Sequence, residues 1–413
     1  MIHHIFPGNQ VLHVPYMIDI LNQYSKEIGV SREEQVFYCI YRTPERHIGK
    51  YNSLGLPPER LKFIKSTKLE SSLMNHIKKN DLLIFHSVFY RKIWFFLSNH
   101  PWVLKNTALL FWGGDVLKCT VQLERDVLNQ LSSVFNRETQ HPQHWKSIIR
   151  ISWNLVKIFK RFLSDRIHPP LYRSLLSRLG AICTGTPGEF KMISQLHGPC
   201  HNYVPIVFHT NTMNLKPTPR KEPEAALRVL LGNSGKLTNE HLEVLSWLSA
   251  YKDENIKVIC PLGYPQQSSY KDKVIEKGRR LLKDKFVPLM NIIPKSEYNS
   301  LLASIDIVIS NAKRQQGLYC VYSSLLYGKK VYLSAVSPVY EMMTKWGIKV
   351  FDVHDIISSS FQEFSSFSQE DAKRNHRIGQ EHFSLQACLK SFKALIAKMR
   401  QSVHAGERYE HEI

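Results

Sequence analysis

Short apolar runs, each followed by a stretch of helical periodicity, recur along the chain. Residues 36–41, 82–86, 108–112 and 181–184 read as strands of one half, and 228–231, 257–261, 306–310 and 330–333 as strands of another. These runs are apolar at nearly every position rather than at alternate ones, as expected for strands buried on both faces of a parallel sheet. Residues 239–251 carry Leu242, Leu245 and Leu248 on one stripe and predict a helix, with Thr238 as its N-cap. Strands alternating with helices predict a parallel sheet in each half.

Between the halves, residues 210–225 hold Pro217, Pro219 and Pro223 among lysines and arginines, the composition of a linker. The expected organisation is an N-terminal Rossmann-like domain over 1–209, a C-terminal one over 226–400 and a polar tail over 401–413. A chain of 413 residues suits two cores better than one.

Three glycine-bearing segments of the second half follow apolar runs. They are Gly232-Asn233-Ser234-Gly235, Gly263-Tyr264-Pro265 and Arg314-Gln315-Gln316-Gly317. Open α/β sheets bind ligands at loops on the carboxyl ends of their strands. Glycine lets backbone N–H groups approach a phosphate there, and a following helix N-terminus favours negative charge. An arginine and two amides after a buried strand supply donors for a diphosphate or for sugar hydroxyls. Tyr264 offers a ring for stacking on a base or sugar. Taken singly, each segment also fits an ordinary strand-to-helix turn.

The first half offers three candidate bases. Asp115 closes Trp112-Gly113-Gly114-Asp115 after an apolar run, where a carboxylate serves either as a general base or as a helix cap. His4 and His86 end apolar runs, and a neutral imidazole accepts a proton near pH 7. No Ser/His/Asp spacing, P-loop, HExxH or Asp-x-Asp motif is present, so nothing in the sequence calls for a metal or another cofactor.

Charge narrows the partners. A formal net charge of +20 favours an anionic one: nucleic acid, acidic lipid or a phosphorylated substrate. Nucleic acid is disfavoured, since no zinc-finger spacing or RNP-like aromatic motif accompanies the charge. The seven cysteines are scattered, with no CxxC pair, and fit a reducing compartment. The first residues lack the features of a signal peptide, and no stretch reaches the roughly 18 apolar residues of a spanning helix. A cytoplasmic protein is expected, with contact to a membrane surface open.

That contact would fall in residues 141–180, which hold eight Lys or Arg and one acid, Asp165. At helical spacing Lys146, Arg150, Lys157 and Arg161 share a face, while Ile148, Ile151, Leu155, Ile158, Phe159 and Phe162 lie opposite. Trp153 falls near the polar sector, and Lys160 adds to the basic set. The pattern suits a helix lying in the plane of an anionic membrane, and equally a surface helix packed on its own domain.

Together these segments resemble the 4-acetamido-4,6-dideoxygalactose (Fuc4NAc) transferases of glycosyltransferase family 56, which act in enterobacterial common antigen synthesis. The likeness is closest over 230–235 and Thr238-Asn239-Glu240-His241, and resumes over 258–265 and 314–317. In the first half Trp112-Gly113-Gly114-Asp115 and His4 carry it. The resemblance implies a GT-B fold, two Rossmann-like domains with parallel sheets facing across a cleft. It implies a dTDP-activated amino-deoxysugar donor held by the second domain and an undecaprenyl-diphosphate-linked glycan as acceptor at the cytoplasmic face of the bacterial inner membrane. It further implies inversion, with a base in the first domain. The stretch 118–179 is longer than the family's usual connection, and the part from 351 onward departs from the pattern. A transferase of another nucleotide sugar in O-antigen synthesis, and a non-catalytic anion- or lipid-binding scaffold of the same fold, remain alternatives.

Overall fold

The computed structural model describes residues 1–7, 14–44, 47–87, 91–112, 173–208, 215–218, 225–264 and 269–411. They form two units, one of Met1–Gly185, Glu189–Ile206 and Leu389–Ile413, the other of Thr186–Gly188 and Val207–Cys388.

The first unit holds seven strands: β1 (Ile2–Pro7), β2 (Gln35–Tyr41), β3 (Leu61–Lys65), β4 (Leu82–Phe85), β5 (Thr107–Phe111), β6 (Ala181–Thr184) and β7 (Tyr203–Pro205). All pair in parallel, in the order β3-β2-β1-β4-β5-β6-β7. Every residue of β1, β2, β4, β5 and β6 is buried, as both faces of a parallel sheet require. Tyr38, Phe85, Phe96, Leu97 and Ile182 share one core cluster of this unit.

The second unit holds β8 (Leu227–Leu231), β9 (Ile256–Pro261), β10 (Phe286–Leu289), β11 (Ile307–Ser310), β12 (Lys330–Leu333) and β13 (Phe351–Asp352). They too are all parallel, in the order β10-β9-β8-β11-β12-β13. Successive strand residues serve opposite faces. Val229, Leu231, Ile307 and Ile309 pack with Val244, Leu245, Leu248 and Val274, from the helices His241–Leu248 and Ser269–Leu282. Leu230 and Val308 pack with Val321, Leu325, Met342 and Phe383, from the helices Leu318–Leu326, Pro338–Lys345 and Gln369–Phe383. In both sheets the strand order reverses beside the first strand, at β1/β4 and at β8/β11, and open α/β sheets leave a crevice at such a point.

The eight expected strands form, and the pattern missed five others. Of these, β3, β7, β10 and β13 are sheet edges, where one side lacks a neighbour and the apolar run shortens. Pro205 in β7 and Pro288 in β10 are tolerated there because an edge strand need not donate on both sides. The expected helix over 239–251 is broken into a 3₁₀ turn Leu237–Asn239, the helix His241–Leu248 and a second 3₁₀ turn Ser249–Tyr251. Thr238 does not cap it. Glu240 holds that position at φ 52°, and the Thr238 hydroxyl is engaged elsewhere. The stretch expected as a tail from 401 continues the helix Leu385–His411, whose Phe392, Leu395, Ile396 and Met399 are buried. From Leu389 this helix belongs to the first unit. The linker over 210–225 lies largely outside the described residues.

Gly278 sits mid-helix, where alanine ordinarily gains about 1 kcal/mol of helix propensity. A Cβ there would stand 2.6 Å from the Phe286 ring, at the start of β10. Overpacking then dominates, so Gly278→Ala should lower stability by about 1–3 kcal/mol in urea unfolding. A stabilised variant would contradict this packing.

Candidate active site

In the second unit the three glycine-bearing loops leave adjacent strands at the point of reversal. The ladder ends where Gly232 N–H donates to Ile309 O at 2.9 Å. Gly232 then turns at φ 69°, and a Cβ on it would lie 2.6 Å from His241 Nε2. Asn239, fully buried, shapes the loop from within. Its Oδ1 accepts from Asn233 N–H at 3.3 Å, and its Nδ2 donates to Ser234 O at 2.7 Å and Ser234 Oγ at 3.1 Å. Gly235 N–H donates to Tyr264 O at 2.7 Å, tying the loop after β8 to the loop after β9.

The loop after β11 is tied to the same place. Gln316 accepts from the Thr238 hydroxyl at 2.6 Å and donates to Asn233 Oδ1 at 3.0 Å, so one side-chain amide bridges the β8 and β11 loops. Gly317, at φ 65°, allows this approach, since a Cβ would stand 2.9 Å from Asn233 Cγ. The helix Leu318–Leu326 starts there with Gly317 as its N-cap and no side-chain cap. Arg314 is half-buried, and its Nη1 donates to Gln315 O at 3.0 Å. Gln315 is buried, and its Oε1 accepts no hydrogen bond among the described residues. Nearby, Asn311 donates to Glu243 Oε2 at 2.9 Å. Gly232, Asn233, Ser234, Gly235, Gly263, Tyr264, Arg314, Gln315, Gln316 and Gly317 are thus one connected region, with Pro265 outside the described residues.

Three residues not among the candidate site residues support it. His241 is fully buried, and burial pushes its imidazole down to about 4, so it is neutral at pH 7. Tyr270 Oη accepts from His241 N–H at 2.9 Å and lies 3.3 Å from Nδ1. The aliphatic stem of Lys271 fills the space that a side chain at Gly235 would take. Asn239 and His241 had a signal in the stretch 238–241, whereas Tyr270 and Lys271 arrive from a distant helix and had none.

In the first unit His4 lies in the middle of β1 rather than at its end, and His86 directly follows β4. Both rings are buried, so neither presents a nitrogen to solvent. His4 Nδ1 stands 3.1 Å from His86 Nε2, and His4 Nε2 stands 3.2 Å from Gln35 Oε1. Gln35 Nε2 donates to Leu21 O, which fixes the amide orientation. His4 therefore donates from Nε2 to Gln35 and, being neutral, accepts at Nδ1 from His86 Nε2–H. The remaining atom, His86 Nδ1, is a lone pair with no partner among the described residues. Asp115 and the basic set Lys146, Arg150, Trp153, Lys157, Lys160 and Arg161 lie outside the described residues.

Comparison with known proteins agrees with this architecture. Residues 163–366 match the family model of 4-alpha-L-fucosyltransferases, glycosyl transferase group 56. A glycosyltransferase from Rickettsia africae superposes with TM-score 0.63 at 12% identity, covering 97% of this chain and 98% of that one. The Anabaena protein HepE, solved with UDP-glucose, gives 0.60 at 11% identity, covering 96% and 99%. A UDP-forming trehalose-phosphate synthase from Burkholderia vietnamiensis gives 0.59 at 9% identity, covering 98% of each chain. The fold shared with these proteins is GT-B. Among the described residues, no helix is long and apolar enough to cross a membrane.

Burial holds His4 down to about 3 and His86 well below its usual value. His3 is also lowered by burial, despite its contact with Asp81 at 3.0 Å. In the unfolded chain such rings take up a proton near 6.5, and the folded His4 does so only near 3. The unfolded state therefore binds more protons throughout that window, and stability should fall as pH drops from about 6.5 toward about 3. Urea midpoints measured across this range should decline steadily. A flat profile would mean that the rings are not held neutral.

Proposed function

We propose that this chain, whose residues 163–366 match the family model of glycosyl transferase group 56, is a glycosyltransferase whose donor is a dTDP-activated amino-deoxysugar of the Fuc4NAc type. The acceptor in this reading is an undecaprenyl-diphosphate-linked glycan of a bacterial surface polysaccharide, common antigen or O-antigen. The observation that carries the reading is the Gln316 bridge. It draws the loops after β8 and β11 together where an α/β sheet binds its ligand, with Arg314 on one of them.

In the reaction, the acceptor hydroxyl oxygen attacks the anomeric carbon as the bond from that carbon to the diphosphate oxygen breaks. The pair from that bond leaves with the nucleoside diphosphate, and the acceptor's proton passes to a base. A single displacement of this kind inverts the anomeric centre. The Arg314 guanidinium and the N-terminus of the helix Leu318–Leu326, which has no side-chain cap, stabilise the charge developing on the leaving group. No metal enters this scheme.

For the base, His4, His86 and Asp115 are the candidates. Both ring nitrogens of His4 are engaged, so His4 is assigned an orienting role; His86 Nδ1 accepts no hydrogen bond among the described residues, but its ring is buried and burial lowers its basicity, so it stands only as one candidate base. Asp115, four residues past the end of β5, is the rival on the carboxylate side. The segment 146–164 docks the protein on anionic lipid at the cytoplasmic face of the inner membrane, where the acceptor's lipid would be held.

Calorimetry with dTDP and UDP tests the donor half, and absence of binding to both would remove the enzyme reading. Arg314→Ala should weaken diphosphate binding by about 1–3 kcal/mol, the worth of a charged hydrogen bond. An unchanged affinity would take Arg314 out of the site. His86→Asn and Asp115→Asn should separate the bases: the true one loses transfer to a lipid-linked acceptor while donor affinity stays. Reversing the charge of Lys146, Arg150, Lys157, Lys160 and Arg161 should abolish sedimentation with vesicles containing anionic lipid, and retained binding would place docking elsewhere.

A further inference from the structure

His86 Nδ1 has no hydrogen-bond partner among the described residues, yet His86 is only 1% exposed. A buried acceptor left unused is costly, so its retention asks for a use. Among the described residues three rings pack on this imidazole. Phe6 stacks on it with centroids 3.9 Å apart, His4 lies at 5.3 Å and Phe392 at 6.1 Å. Phe6 and His4 belong to β1 and are fixed by the sheet. His86 is pinned to the same sheet, since its N–H donates to Ile5 O at 2.8 Å. Phe392 comes instead from the helix Leu385–His411, which lies outside the sheet.

That helix has the build of a strap. Ser384, extended at ψ 162°, is the single non-helical residue between it and the helix Gln369–Phe383. The Ser384 hydroxyl accepts from Ala387 N–H at 3.1 Å and its carbonyl from Cys388 N–H at 3.1 Å, so a new helix starts there. Residues up to Cys388 belong to the second unit and those from Leu389 to the first. Phe392 stands about 12 Å along the axis from the break. Farther on, Arg400 grips the first unit through Gly29 O and Glu34 Oε1, each at 3.0 Å, and such an exposed ion pair is weak. Buried Leu395, Ile396 and Met399 keep the strap shut, so its opening is a minor excursion. We propose that Phe392 shields His86, closing Nδ1 off from water, and that an acceptor's proton reaches Nδ1 only while the strap is displaced. The inference rests on His86 as a candidate base and adds what keeps water from it. A base open to solvent can deprotonate water in place of the acceptor hydroxyl, and water attacking the anomeric carbon hydrolyses the donor.

The test follows modification of single histidines by diethyl pyrocarbonate on the full chain, read by mass spectrometry, because the reagent attacks an accessible neutral imidazole nitrogen. In the unaltered protein His86 should stay protected while the exposed His354 reacts. Phe392→Ala should raise the His86 rate by about tenfold or more, since it removes the packing of a whole ring. Arg400→Ala loosens only the grip and should raise the rate about twofold to fivefold, the worth of an exposed ion pair. His4 and the buried His241 should stay protected in both variants, which checks that each remains folded. With dTDP-Fuc4NAc and an undecaprenyl-diphosphate-linked glycan, Phe392→Ala should raise hydrolysis severalfold relative to transfer. An unchanged His86 rate in either variant that stays folded overturns the proposal. A raised rate with an unchanged ratio of hydrolysis to transfer overturns it too, and leaves the donor reading intact because transfer persists. Absence of both hydrolysis and transfer in the unaltered protein overturns this inference and the donor reading together.

Discussion

The Gln316 amide and the close approach of Gly317 to Asn233 hold the second unit's site in one piece. In a parallel sheet the loops at the carboxyl ends of β8 and β11 diverge, because their helices leave to opposite faces. Something must draw them back if one ligand is to touch both. Gln316 does so by spending both ends of its amide across the gap, on Thr238 and on Asn233. Only a residue without a side chain fits at 317, since the Asn233 side chain occupies the space a Cβ would need. Remove that fit and the glycine loop, the Arg314 loop and the helix Leu318–Leu326 lose their common origin.

Around this joint Asn239 is the buried polar side chain that pairs with the loop from within. Asn239 is buried because it replaces the hydrogen bonds that the Asn233–Lys236 turn would otherwise make to water. His241 is buried as a neutral ring against Gly232. The first unit applies the same economy at its own point of strand reversal, where Gln35, His4 and His86 pass hydrogen bonds in one direction and end on a single lone pair. Each arrangement fixes a tautomer and an orientation without a buried charge, whose desolvation would be expensive.

Much of the fold was legible because parallel strands covered on both faces are apolar at nearly every position, and a run such as Val229–Leu231 followed by glycine has few other uses. The edge strands β3, β7, β10 and β13 were not legible, since an edge relaxes the demand for apolar residues and admits proline. The glycine loops were visible in the sequence as glycines after strands. Their connection was not, because Gln316 and Thr238 are 78 residues apart and nothing local marks them as partners. Thr238 illustrates the limit well: its spacing suits a helix cap, yet its hydroxyl goes to a distant amide and the cap position falls to Glu240.

The sequence by itself determined two parallel α/β halves and the strand ends at which glycine-bearing loops leave the second sheet. Periodicity and composition act over a few residues, and those properties are local. The tertiary structure alone decided which loops meet, that Lys271 packs on Gly235 and Tyr270 bonds His241, and that His4 and His86 pair with each other. It also carried the last helix back to the first unit, where Phe392 and Met399 are buried. Such facts depend on strand order and long-range packing, in which residues distant in sequence compete for the same space and the same hydrogen bonds.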